Sequence, residues 1–338
     1  MIDSSAAVSI QSVVEEFVRE ELSQENAHIA GAVWSMLDAG GKRLRPRITM
    51  LAGRACDPAA VDDPVLASYM ELIHIATLIH DDVLDDADTR RGRASTNRAF
   101  GNRFSVLAGD YLFSWVFKKV TQNYPNPIPT ILAAMLAEIC NGEVKQLRAA
   151  GNAELPVEAY LEIIGKKTAE LFAACAECGA IVATHRRNGS QGPALRELPA
   201  VKALRAFGWS FGMAFQIRDD LLDITAAQET IGKPAGSDLR EKKVTLPLLY
   251  ALDDRESGSR VRHAVDELFA LDDASVPEAA GRMDAVVSLV RGSTAVRRAA
   301  TEMAQWARRA ESALGAVAAS PARDELAALA QTLTEFSP

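Results

Sequence analysis

Apolar residues recur at three- and four-residue spacing through most of the chain. In VSIQSVVEEFVREEL, Val8, Val13, Phe17 and Leu22 fall near one helical face. DPVLASYMELIHIATLIHDDVLDD has no Gly and no Pro after Pro64, which suits a first helical position behind Asp62 and Asp63. The same period marks SVLAGDYLFSWVFKKVTQ, PTILAAMLAEICNGEVKQLRAA, PVEAYLEIIGKKTAELFAACAECGAIVATH, LRAFGWSFGMAFQIRDDLLDI, TLPLLYALDD and an Ala-rich final third. Alternating β-branched runs are nearly absent. The pattern predicts an all-α fold of about ten or more helices.

The breaks are short. RRNGSQGPALRELPA (186–200) reads as a polar loop and DDRESGSRVRH (253–263) as a surface turn. AAQETIGKPAGSDLREKK (226–243) is longer, rich in Gly and Lys, and has the character of a functional lid. No Pro- or Ser-rich linker divides the chain, so residues 1–338 are expected to form one domain.

Composition narrows the function. The chain has 338 residues, is 48% hydrophobic and carries a net charge of −8. It can build a large core, and its acidity argues against a general nucleic-acid binder. Four cysteines are present, Cys56, Cys140, Cys175 and Cys178. CAEC lacks a second pair, so reduced packing residues are expected rather than a metal or redox site. The N-terminus carries acids where a signal peptide needs bases, and no stretch of about 18 uncharged apolar residues occurs. A cytoplasmic setting without a membrane span is expected.

Against this background LIHDDVLDDADTRRG stands out: it packs acids onto the end of an apolar helix. Residues four apart share a helical face, so Asp81 and Asp85 lie together and His74 falls on the same stripe two turns earlier. FQIRDDLLDI repeats the arrangement, pairing Asp219 with Asp223. Asp82 and Asp220 lie about 100° around their helices and can support from the side. Two such clusters facing one another would repel strongly unless cations intervene. Mg²⁺ prefers oxygen and takes one or two carboxylates together with substrate phosphates. A Mg²⁺–phosphate substrate between two acidic walls is the expected chemistry.

The cations agree. GGKRLRP offers Lys42, Arg43 and Arg45; TRRG places Arg90 and Arg91 one to two turns beyond the first acids; GKKTAELF adds Lys166, Lys167 and Thr168; the late loop adds Lys233 and Lys243. Arginine forks and lysine point charges both suit diphosphate.

These stretches, together with GKPAGSDLREKKVTLP, occur in an order that resembles the all-trans polyprenyl diphosphate synthases across residues 40–247. The resemblance implies a single bundle of mostly antiparallel helices around a deep central cavity, usually a homodimer, that elongates an allylic diphosphate with isopentenyl diphosphate. It implies that Asp81, Asp82 and Asp85 bind two Mg²⁺ and that Asp219, Asp220 and Asp223 bind a third. Arg90, Lys167, Lys233 and Lys243 would contact the allylic diphosphate; Lys42, Arg45, His74 and Arg91 would hold isopentenyl diphosphate; Thr168 and Gln216 would line the reacting centre. One departure is visible: Lys242 stands where the family usually has Gly, in Glu241-Lys242-Lys243.

In that family the residues four and five before the first Asp, here Thr77 and Ala76, often line the pocket for the growing tail. Both are small, so a product longer than farnesyl is expected, long-chain in preference to geranylgeranyl. The next limit would come from the following helix, where Ala108 is small and Tyr111, Phe113 and Trp115 are large. A class I terpene cyclase also uses an Asp-rich helix, but normally has an Asn/Ser/Glu metal motif in place of the second cluster. A non-catalytic subunit of a heteromeric synthase would tend to lose the acids, which are intact here.

Overall fold

The computed structural model describes residues 4–90, 92–225, 236–271 and 277–334. The described residues are almost wholly helical, as the periodicity predicts: α1 (Ser4–Leu22), α2 (Ala27–Asp38), α3 (Leu44–Cys56), α4 (Pro64–Leu84), α5 (Thr96–Phe100), α6 (Asn102–Asn123), α7 (Ile128–Ala149), α8 (Val157–Ile164), α9 (Glu170–Asn188), α10 (Pro199–Thr225), α11 (Ser237–Arg240), α12 (Leu246–Leu252), α13 (Gly258–Phe269), α14 (Pro277–Arg291), α15 (Ala295–Ala313) and α16 (Pro321–Thr334). None of them is long and apolar enough to cross a membrane. The expected turn at 253–263 is shorter than predicted, because α13 begins at Gly258.

The chain forms two compact units. One comprises Met1–Ala134, Leu171–Gly208 and Ala313–Leu326; the other comprises Met135–Glu170, Trp209–Ser312 and Ala327–Pro338.

In the first unit α4 is the central element, packed against α1, α3 and α6. Asp63 caps it by accepting from the Leu66 amide at 2.8 Å, with Pro64 at the first helical position as expected. Leu66, Met70, Leu72, Ile73 and Ile79 are fully buried. The helix ends at Leu84 because Asp86 turns left-handed, at φ 45°, a conformation Asp tolerates better than most residues. The chain then doubles back through a two-stranded ribbon, β1 (Thr89–Arg90) with β2 (Arg93–Ala94), in which Arg90 pairs with Arg93. Elsewhere in the unit α3 and α9 nearly touch at Gly179, where a Cβ would lie 2.0 Å from the Thr49 carbonyl oxygen. Only glycine permits that approach.

In the second unit α8 passes into α9 through a π-helical turn, Gly165–Ala169. π turns admit an extra residue and often mark functional positions. This one carries Lys167 and Thr168.

Candidate active site

The first unit presents Asp81 on α4 and Asp85 at its C-cap, where the Asp85 amide still donates to the Asp81 carbonyl at 2.8 Å. Both side chains are partly exposed. Asp82 differs. Its side chain is fully buried, one oxygen accepts from Arg90 Nε at 2.8 Å and Nη2 at 2.7 Å, and the other accepts from the Thr96 amide at 3.1 Å. Asp82 was expected beside the metal; here its oxygens hold Arg90 and the ribbon. Arg90 reaches this position through the reversal at Asp86 and not by helical continuation, the geometry expected from TRRG. Asp88, beyond the helix, pairs with Arg98 at 2.5 Å. Arg91 lies outside the described residues.

The loop before α3 divides its cations. Lys42 is exposed. Arg45 is half-buried, its guanidinium carbon 4.5 Å from the centre of the Phe172 ring. Arg43, grouped with them as a phosphate-suited cation, points inward. It takes a left-handed backbone, is 4% exposed, and donates to Glu71 at 2.9 Å, Glu15 at 3.0 Å and the Leu37 carbonyl at 2.7 Å. It is an internal anchor for the loop. His74 is half-buried one turn after Glu71 on α4, and its carbonyl accepts from the Thr77 hydroxyl at 2.7 Å.

Of the residues expected to limit tail length, Ala76 and Ala108 are fully buried and Thr77 is partly exposed. Tyr111 donates its hydroxyl to Glu25, and burial pushes that hydroxyl up to about 12. Trp115 donates to the same carboxylate at 3.0 Å. Phe113 packs on His80 with ring centres 5.6 Å apart. Five residues along a helix are about 140° around it, so Phe113 and Ala108 occupy different faces and do not share one wall.

The second unit holds a cavity of about 100 Å³. Five of the expected site residues line it: Lys167, Thr168, Gln216, Asp220 and Lys243. A hydrogen-bond chain orders them. Thr168 Oγ1 donates to Gln216 Oε1 at 2.8 Å, and Gln216 Nε2 donates to Asp220 Oδ1 at 2.9 Å. The other Asp220 oxygen accepts from the Tyr160 hydroxyl. The π turn is seated against α7: a Cβ on Gly142 would lie 2.7 Å from the Lys167 amide nitrogen. Lys167 pairs with Glu143 at 2.5 Å, and Lys243 pairs with Glu241. Ile163, Ile164, Leu155 and Val244 give the cavity its apolar walls.

The acids of α10 are not equivalent. Asp219 is exposed, Asp220 is buried and Asp223 is half-buried. Asp223 accepts from the Ser237 amide at 3.1 Å, the Ser237 hydroxyl at 2.5 Å and the Asp238 amide at 3.3 Å, which ties the start of α11 to α10. Burial pushes the Asp220 carboxyl up to about 7; the bonds from Tyr160 and Gln216 hold it back, while the charges of Asp219 and Asp223 raise it further. Burial, with Asp223 and Asp220 nearby, also drives Asp238 well above the usual carboxylate range. Tyr160 is likewise pushed up, first by burial and then by Asp220, so it remains a hydroxyl donor. Lys233 lies outside the described residues.

Tyr160 and Asp238 are site residues that sequence reasoning did not single out. Asp238 lies within GSDLREKK, and its place beside two lysines in a lid-like loop was the available signal. Tyr160 is seven residues before Lys167 and shares its stripe, but nothing local sets it apart from a core tyrosine.

This donor set fits a hard divalent cation. Burial lifts the Asp220 and Asp238 carboxyls, with the charge of Asp223 adding to it, and a nearby cation would favour their charged forms. Among the described residues no three His, Cys, Asp or Glu side chains converge as a ready-made cage. Mg²⁺ keeps waters and takes part of its shell from substrate phosphates. Cys175 and Cys178 are both fully buried, and burial pushes the Cys175 thiol up to about 12.

Residues 26–280 match the family model described as polyprenyl synthetase. The chain belongs to the polyprenyl synthetase family. Across 275 residues it is 38% identical to the heptaprenyl diphosphate synthase component 2 of Geobacillus stearothermophilus, covering 81% of this chain and 82% of that protein. It is 36% identical over 324 residues to the nonaprenyl diphosphate synthase of Mycobacterium tuberculosis, covering 94% and 89%. Its fold matches the crystal structure of a polyprenyl synthase from Caulobacter crescentus CB15 complexed with calcium and isoprenyl diphosphate, at a TM-score of 0.86 and 35% identity over 98% of this chain and 96% of that one. The all-α isoprenoid synthase fold expected from the motifs is thus the fold observed.

Proposed function

We propose that this polyprenyl synthetase family member is a Mg²⁺-dependent trans-prenyltransferase. It condenses isopentenyl diphosphate with an allylic diphosphate and yields a long-chain polyprenyl diphosphate. The observation that carries the reading is the ordered Thr168–Gln216–Asp220 chain in a cavity that also presents Lys167 and Lys243. The heptaprenyl and nonaprenyl products in the names of its relatives support the long-chain assignment.

When bound, Mg²⁺ neutralises the diphosphate and stabilises the charge that develops as it departs. Asp81 and Asp85, with Asp82 beside them, would hold Mg²⁺ on the first unit, and Asp219 and Asp223, with Asp220 beside them, would hold it on the second. Lys167 and Lys243 take the departing diphosphate. Each now sits in an ion pair with a nearby glutamate, which holds the ammonium in place until a stronger anion competes. The Gln216 amide is fixed from both ends, so its oxygen dipole, with that of Thr168, can face the positive charge that appears on the allylic carbon without taking a proton. Lys42, Arg45 and His74 hold isopentenyl diphosphate, whose double bond attacks that carbon. Arg90, held by Asp82, contacts the allylic diphosphate. No side chain of the set is a strong base, so the departed diphosphate takes the proton lost from the new carbon–carbon product. Apolar residues keep water from quenching the cation.

The chain acts as a homodimer in the cytoplasm, in this reading, and residues 1–338 work as one catalytic domain. The test is incubation of the purified chain alone with isopentenyl diphosphate, an allylic primer and Mg²⁺, with the lipid product read by mass. A heptaprenyl or longer product is expected. Absence of both diphosphate release and elongated lipid sinks the reading, and activity appearing only on addition of a second protein would place the chain with the two-component synthases.

A further inference from the structure

Lys242 has a backbone that its side chain does not explain. Its φ is 54°, a left-handed conformation that lysine rarely adopts. It sits between Asp238 and Lys243, both of which line the cavity, yet it does not line the cavity itself. Its ammonium instead donates to the carbonyls of Phe269 at 2.8 Å and Leu271 at 3.0 Å, at the C-terminal end of α13. A cation there satisfies carbonyls that the helix leaves without amide partners and lies at the negative end of its dipole. The Lys242 carbonyl accepts from the Gly151 amide at 2.7 Å, which anchors the same residue on a second side.

These contacts pin one end of the segment 237–243. Asp223 pins the other by capping α11. Between the pins, the Lys242 amide donates to the Leu239 carbonyl at 3.1 Å and the Lys243 amide donates to the Asp238 carbonyl at 2.8 Å. The Lys243 ammonium therefore reaches the cavity from a backbone whose direction is set at Lys242.

We propose that Lys242 is a positioning residue, a cap on α13 that holds the segment in the register presenting Lys243 and Asp238 to the substrate cavity. Of two adjacent lysines, one holds the loop and the other meets the diphosphate. The inference rests on the proposed reading of Lys243 as a diphosphate ligand.

The experiment compares the native chain with Lys242→Met and Lys242→Arg. Allylic diphosphate is varied at saturating isopentenyl diphosphate, and amide hydrogen exchange is followed over 237–243. Lys242→Met is expected to raise KM for the allylic substrate about tenfold and to lower kcat/KM by at least as much, because it displaces Lys243 from the diphosphate. KM for isopentenyl diphosphate should not move. Lys242→Arg, which can still donate to both carbonyls, should remain within about threefold of the native chain. Amides of residues 239–243 should exchange faster in Lys242→Met while those of α12 are unchanged. An allylic KM within about twofold of native in Lys242→Met, or unchanged exchange over 239–243, overturns the proposal. If the native chain elongates nothing, the functional reading fails, and the exchange comparison still decides whether Lys242 tethers the segment.

Discussion

Arg43 and Glu71 form an ion pair 2.9 Å long with side chains 3% and 5% exposed. The pair joins the loop before α3 to α4 one turn before His74, and Glu15 on α1 completes it. A buried pair contributes little compared with a well-packed apolar substitute, but removing one partner leaves the buried charge less well compensated and costs up to about 3–5 kcal/mol. Glu71→Ala is therefore expected to lower the unfolding free energy by about that amount in urea titrations. Lys42→Ala, one residue from Arg43 but exposed, should leave stability within about 0.5 kcal/mol and act on the isopentenyl diphosphate KM instead. Equal stability losses in the two variants would remove the distinction between anchor and ligand.

The acids divide in a similar way. Asp81→Ala and Asp219→Ala remove partly or fully exposed carboxylates, and turnover should fall by about 10²–10³ or more with helicity intact. Asp82→Ala strips the partner of Arg90 from a fully buried position, so it should lose stability as well as turnover. Circular dichroism and thermal melts, run beside the elongation assay, separate the two outcomes.

Much of this arrangement was legible in the chain because it is local. Helical period, the Asp63–Pro64 start of α4, and the acids at the ends of α4 and α10 all follow from spacing. What escaped depends on partners far away in sequence or on a change of helical geometry. Arg43 looked like its neighbours Lys42 and Arg45; only Glu71, 28 residues on, shows that it turns inward. Asp82 looked like Asp81 until the chain doubled back and brought Arg90 and Thr96 onto it. The π turn at Gly165–Ala169 has the composition of an ordinary helix, and its glycine partner is on another element. The residues expected to meet substrate were read from their chemistry, whereas those that hold them in place were not.

The thiols should report the core directly. Cys140 is exposed and Cys56 half-buried, while Cys175 and Cys178 are fully buried. Burial pushes the Cys175 thiol up to about 12, so near neutral pH it carries almost no reactive thiolate. Treatment of the native chain with a thiol-specific chromophore should modify Cys140 quickly and Cys56 more slowly. Cys175 and Cys178 should react only after denaturant is added. Rapid loss of all the thiols in the native state, or retention of zinc by CAEC, would contradict the packing described.

In the proposed reading, chain length turns on Ala76, which is fully buried one position before Thr77 on α4. Phenylalanine there would fill space that the growing tail needs, in the proposed reading, so Ala76→Phe should shift the product mass toward shorter polyprenols. Overpacking alone typically costs about 1–3 kcal/mol, so a melt must show the variant folded before the product is weighed. A folded, active Ala76→Phe enzyme with the native product would place the tail elsewhere.

Gly142 tests whether the π turn matters to chemistry. An alanine Cβ would meet the Lys167 amide nitrogen at 2.7 Å and the Lys166 Cβ at 2.9 Å, so α7 and the turn must separate. Thr168 and Lys167 would move with the turn, pulling Thr168 from Gln216. Misplacement of a site by about 1 Å can cost on the order of 10²-fold in rate. Gly142→Ala is accordingly expected to reduce kcat/KM by at least about tenfold. Gly281→Ala supplies the control: it lies within α14 with nothing within 4 Å of the new Cβ. That change should leave activity alone and add up to about 1 kcal/mol of stability, since alanine is the better helix former. If Gly142→Ala retains native kcat/KM, the close seating of α7 on the π turn is a packing feature and not a determinant of catalysis.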